Sequence, residues 1–142
     1  FQTSDPLAFA TEVFPGAGAS TNLSARDLLL GGAAKVRAAL QSDPDNKATL
    51  MLALGTALRN QGLLAEAGPI LEEAHAGRAA RLAATPAADP GRRAAELAAA
   101  ESEFQLGWLA LDRGDAERAE ARFRAVLAVQ ERHGVTEVDR VN

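Results

Sequence analysis

Glu72, Glu73 and His75 fall within four consecutive residues, the one stretch where carboxylates and an imidazole crowd together as acid–base work or metal binding would require. A metal site needs ligands converging from more than one segment. The other histidine, His133, lies far along the chain, so His75 is expected to be a surface or half-packed residue. Serine hydrolysis needs a hydroxyl on a strained turn beside a base, whereas Ser20, Ser24 and Ser42 stand where caps and turns use hydroxyls. Gly16-Ala17-Gly18 lacks the Lys-Ser/Thr ending of a phosphate loop and the spacing of a dinucleotide loop. With no glycine-rich kinase loop, no His-Arg-Asp and no Asp-Phe-Gly, the chain has no machinery for phosphoryl transfer. Zero cysteines remove disulfides, thiolate zinc sites and thiol catalysis together. The expectation is a chain without enzymatic activity, cofactor or metal.

Composition narrows the remaining classes. Lys plus Arg number 15 against 19 Asp plus Glu, a net charge of -4 that argues against a nucleic-acid partner. Arg78, Arg81, Arg92 and Arg93 flank a proline-rich turn and are candidates for binding an anionic partner, although solvated helix faces carry such charge routinely. Hydrophobic residues at 47% and charged residues at 24% over 142 positions suit one domain with a real core. Charges interrupt every apolar run well before the roughly 18 to 20 residues of a membrane helix, so no direct membrane contact is expected. A first residue of Phe1, with no basic-then-apolar leader, reads as an excised soluble fragment; its compartment stays open.

The elements that must position these residues are helices. Alanine and leucine dominate while Val and Ile total eight, which favours an all-α fold. Residues 1–22, with Pro6, Pro15, Gly16, Gly18 and the scattered Phe1, Phe9 and Phe14, read as an irregular arm that docks on the helices. A helical domain is expected over 23–142. Ser24 with Asp27 resembles a capping box opening a first helix over 24–42, stopped by Ser42-Asp43-Pro44. A second helix runs from about 46 to Gly62. A third begins near Ala65, with Pro69 in its first turn, and ends near 84; these two make a hairpin over 46–84. Asp89-Pro90 is read as a cap followed by proline, opening a fourth helix that ends at Gly114. The fifth runs from about 116 to 133 with Ala119, Phe123, Val126 and Leu127 inward, closing a second hairpin over 90–133. Residues 135–142 read as the start of a further repeat, since Val138 and Val141 recur three apart.

An offset of 52 residues aligns Leu54 with Leu106, Gly55 with Gly107, Gly62 with Gly114, Ala67 with Ala119 and Leu71 with Phe123. Physically this is a helix–turn–helix in which Gly55 or Gly107 lets two antiparallel helices close up, with Ala67 or Ala119 opposite. The order Gly55, Gly62, Ala67, Leu71, Ala74, and in the second copy Leu106, Gly107, Gly114, Ala119, Phe123, resembles the tetratricopeptide repeat. Val126 departs from that family's alanine and Ala110 from its usual tyrosine. The offset also exceeds the family's spacing of about 34 residues, which longer helices and the proline-rich turn account for. The resemblance implies antiparallel hairpins stacked as a right-handed solenoid fragment, and a module that binds proteins. A looser resemblance covers Phe1 to about Arg78, where Phe1-Gln2-Thr3-Ser4-Asp5-Pro6 precedes Ala25-Arg26-Asp27-Leu28-Leu29 and Gly32-Ala33. It is similar to the region after the kinase domain in bacterial Ser/Thr protein kinases with tetratricopeptide tails, and implies a regulatory tail or scaffold in a larger signalling protein.

The candidate site follows from one more spacing. Phe104, Trp108 and Leu111 stand at i, i+4 and i+7, an apolar stripe offset from Leu106 and Ala110, which face the partner helix. By the resemblance this stripe lines the inner groove, with Leu52, Thr56 and Arg59 as its equivalents in the second helix, giving an apolar groove with a basic edge. The family's lysine and asparagine pattern for gripping a peptide's terminal carboxylate is absent, so an internal, partly apolar peptide or a partner domain is the expected ligand. Two other readings stand beside it: self-association into a homodimer through an uncovered terminal hairpin, and regulation of an attached kinase. Burial of Trp108 under the arm's phenylalanines or the third helix is the non-functional alternative.

Overall fold

The computed structural model describes residues 24–134, and every regular element in that span is an α-helix: α1 Ala25–Ala39, α2 Pro44–Asn60, α3 Leu64–Ala83, α4 Arg92–Asp112 and α5 Ala116–Arg132. The arm expected over 1–22 and the further repeat expected over 135–142 lie outside the described residues.

Local chemistry sets the helix ends. Ser24 Oγ accepts from the Asp27 backbone N–H at 3.1 Å and opens α1, which stops at Ala39 rather than at position 42. The chain does not halt at Asp43-Pro44 but restarts there. Asp43 caps α2, accepting from the Asn46 N–H and side-chain amide, and Pro44 occupies the first turn, where its missing N–H costs nothing. Pro69 lies in the second turn of α3, not the first, because the helix already starts at Leu64. Asp89-Pro90 likewise differs from the expected cap. Asp89 Oδ1 accepts from the Gly91 N–H at 2.7 Å in a turn, and α4 begins at Arg92 without a side-chain cap. The Arg92 guanidinium reaches back to the Leu82 and Thr85 carbonyls at 3.1 and 2.6 Å, satisfying acceptors at the end of α3.

Each helix packs mainly on its neighbours in sequence: α2 on α3, α4 on α5, α3 on α4, and α1 on α2, with a smaller contact between α2 and α4. The core joins Val36 of α1, Met51, Leu52 and Leu58 of α2, Ile70 and Leu71 of α3, and Leu106 and Leu109 of α4. Residues paired by the 52-residue offset share local geometry at the turns and close approaches. Gly62 and Gly114 take positive φ of 77° and 82°, and in both turns the residue after the glycine donates five residues back, Leu63 to the Leu58 carbonyl and Asp115 to the Ala110 carbonyl. At the close approaches, a Cβ on Gly55 would lie 2.7 Å from Leu71 Cδ2, and one on Gly107 would lie 2.6 Å from Phe123 Cε1. The residues opposite the glycines are therefore Leu71 and Phe123, not Ala67 and Ala119, which are buried elsewhere along the same pairs.

Candidate functional site

The polar residues singled out by type are drawn into ties between helices. His75 on α3 sets Nδ1 2.7 Å from Ser102 Oγ and Nε2 3.0 Å from Glu103 Oε2, both on α4. The connectivity is that of a hydroxyl–imidazole–carboxylate relay. Ser102 is 0% exposed, however, and its hydroxyl donates to the Ala99 carbonyl, so no substrate carbonyl can approach it. Glu103 also takes Arg122 of α5 at 3.2 Å, and Arg122 lies 3.5 Å from Glu72, so one network spans three helices. Glu73 turns the other way, to Arg37 and Lys47. His133, at the end of α5, pairs with Glu96 at 3.1 Å alongside Arg132. Among the described residues no group of three or more His, Cys, Asp or Glu is arranged to hold a metal ion, and no helix is long and apolar enough to cross a membrane.

The arginines proposed for anions are largely engaged within the chain. Buried Arg78 donates to Glu101, the Ala98 carbonyl and Thr49, Arg92 caps α3, and Arg81 lies 3.8 Å from Asp45.

The apolar stripe stands apart from these networks. Phe104, Trp108 and Leu111 on α4 are 38%, 37% and 44% exposed, and Leu127 on α5 is 47% exposed. Phe123 of α5 joins them: its ring lies 5.5 Å from Trp108 and 5.6 Å from Phe104, and Trp108 meets Phe104 edge-on at 6.1 Å. With Val126, Leu127 and Gln130 the three rings line a shallow cleft of about 200 Å³ between α4 and α5.

The equivalents on α2 sit differently. Leu52 is only 6% exposed and belongs to the core with Leu106 and Leu109; Thr56 is half-buried. Arg59 donates to Asp112 Oδ2 at 3.0 Å, so the expected basic edge is paired within the chain. The cause is α4, which lies on the α2–α3 pair and closes this face. The open apolar surface thus consists of Phe104, Trp108 and Leu111 plus two residues expected inward, Phe123 and Leu127. Val126 and Ala119 do point inward. The signal for Leu127 was present in the repeat offset, which puts it opposite His75, a position that is half-buried only because α4 covers it.

Compared with known protein families, curated proteins and solved structures, the chain matches none.

Proposed function

We propose that this chain is a protein-recognition module in which two tetratricopeptide-like hairpins, α2–α3 and α4–α5, stack as part of a right-handed solenoid, with α1 as the closing helix of a preceding hairpin. Support for the repeat comes from the paired close approaches at Gly55 and Gly107 and the paired turns at Gly62 and Gly114. The function rests on one observation: among the described residues the large apolar side chains more than a third exposed are Phe104, Trp108, Leu111 and Leu127, on adjoining helices, and the first two form an aromatic trio with Phe123. Aromatic residues in such patches provide much contact area at little entropic cost, and they dominate the energetics of protein interfaces. The ligand is a protein segment bound by Phe104, Trp108 and Leu111.

The test is the environment of Trp108, the sole tryptophan. In dilute solution its emission is expected to be quenched readily by acrylamide. Trp108→Ala should cost less than about 1 kcal/mol of stability, since a third of the side chain is already in water, yet abolish capture of a partner. A shielded Trp108 whose removal unfolds the chain would refute the reading.

A further inference from the structure

We infer that the face formed by α4 and α5 receives one amphipathic α-helix from another protein, seated as α4 is seated on α2 and α3 and uncharged along its contact seam; this rests on the recognition reading above.

The argument compares two cradles within one chain. The 52-residue offset places Phe104 at the position of Leu52, Phe123 at Leu71 and Val126 at Ala74. On the first pair these apolar positions are covered by α4, whose Leu106 and Leu109 share their cluster. Three polar positions of that first cradle are each answered by α4. Arg78 meets Glu101 at 2.7 Å, His75 meets Ser102 at 2.7 Å, and Arg59 meets Asp112 at 3.0 Å. At the matching positions of the second cradle stand Gln130, Leu127 and Leu111. The shape that accepts a helix is repeated while every charge or imidazole that selected α4's polar residues is replaced. A helix fitting the second cradle keeps leucines where α4 has Leu106 and Leu109, takes a small apolar residue at the place of Ser102, and carries no acid at the places of Glu101, Glu103 and Asp112. An acid at the place of Glu103, whose side chain is only 19% exposed on the first cradle, would be desolvated against Leu127 without a cationic partner.

Neither 1–23 nor 135–142 offers such a seam: the first is broken by Pro6 and Pro15, and the second carries Glu137 and Asp139. A second copy is a poor occupant too. Among the described residues the large apolar side chains it leaves exposed are those of this same face, bulky and aromatic where a small-residue seam is required.

The experiment uses the full chain and two synthetic peptides that copy residues 92–112, both with Phe104→Ala and Trp108→Ala so that the protein's own Trp108 is the reporter. One peptide keeps Glu101, Ser102, Glu103 and Asp112; the other carries Glu101→Gln, Ser102→Ala, Glu103→Gln and Asp112→Leu. The second peptide is expected to shift Trp108 emission to the blue, protect it from acrylamide, and bind at least about five-fold more tightly than the first. Leu127→Arg in the protein should remove that binding. A protein with Leu111→Arg, Leu127→His and Gln130→Arg should reverse the preference between peptides. Equal binding of the two peptides, or no binding by either while Trp108 stays quenchable, overturns the helix inference and leaves the recognition reading standing. A Trp108 already shielded in a monomer, or shielded in a dimer seen by sedimentation, overturns both, by assigning the face to the chain's own segments or to a second copy.

Discussion

A Cβ added at Gly55 meets Leu71, which has no exposed surface and no space to retreat, whereas at Gly107 the same atom meets the ring of Phe123, which borders the open cleft. Gly55→Ala is therefore expected to destabilise by about 1–3 kcal/mol through overpacking. Gly107→Ala should be near neutral, because Phe123 can swing toward solvent and alanine recovers about 1 kcal/mol of helix propensity over glycine. Urea midpoints of the two variants check this, and equal losses would show that the second pair is as tightly closed as the first. The same asymmetry explains which site residues could be read from sequence. The spacing of Phe104, Trp108 and Leu111 puts them on one face whatever lies around them, so they were visible. Burial of Leu52 and pairing of Arg59 with Asp112 depend on α4 crossing that face 53 residues away from Arg59, which no local period records. Phe123 and Leu127 read as inward for the complementary reason: hydrophobicity marks a face as one to be covered, and cannot mark the helix that leaves it open.

At the level of single helices, proline is where sequence reading and structure part. Asp43-Pro44 and Asp89-Pro90 are the same dipeptide, yet the first caps α2 and the second makes a turn two residues before α4. Both outcomes satisfy proline's fixed φ, and the choice depends on the segments being joined, Leu40–Asp43 at the first and Ala84–Gly91 at the second. Helix existence, the glycine turns and most boundaries were readable because capping and period-3.6 patterns are local. Pro69 is the costly case: it removes the N–H that the Ala65 carbonyl of α3 would accept, and its side chain is exposed. Pro69→Ala should stabilise the chain by about 1–3 kcal/mol, seen as a raised Tm. The hold on α1 is electrostatic as well as apolar. Arg26 pairs with Glu66 and Arg37 with Glu73, both reaching α3, and these hydrogen-bonded guanidinium groups, with Lys47 beside Glu73, hold both carboxyls below the ordinary value of 4.5. Depressed folded-state values mean that the contribution is complete above the unfolded carboxyl's range and is lost as pH falls through the folded values. Amide exchange in α1, compared at matched intrinsic rates, should therefore show protection falling below about pH 4.5 in the native chain. Glu73→Gln should lower protection at neutral pH and flatten that dependence.

Contacts between helices run mainly between neighbours along the chain, so each helix draws its stability chiefly from the helices next to it. The buried side chains are unevenly shared along that line. α2 and α3 hold Met51, Leu58, Ile70 and Leu71, and α4 adds Leu106 and Leu109, whereas α5 buries only Ala119 and Val126 and α1 only Gly32, Ala33 and Val36. The two end helices differ in their ties. α1 meets α3 through exposed ion pairs, while α5 is fastened at its far end by Glu96, whose nearly buried carboxylate takes Arg132 and His133, and at its middle by Arg122 on Glu103. Losing one of those partners leaves a desolvated charge, so the tie resists opening more than a surface pair does. Opening should then begin at α1, proceed to α5, and reach the α2–α3–α4 block last, with hydrogen exchange reporting three levels of protection. Two truncations of core side chains separate this from all-or-none unfolding. Val126→Ala should lower protection in α5 while leaving α2 and α3 unchanged, because its loss of about 1–3 kcal/mol is confined to the last interface. Leu71→Ala, at a position with no exposed surface between α2 and α3, should cost about 2–5 kcal/mol and lower protection in every helix at once, since α1 and α4 both rest on that pair. If Val126→Ala instead lowers protection uniformly, the chain unfolds as one unit and the open α4–α5 face is stabilised by the whole molecule rather than by its own two helices.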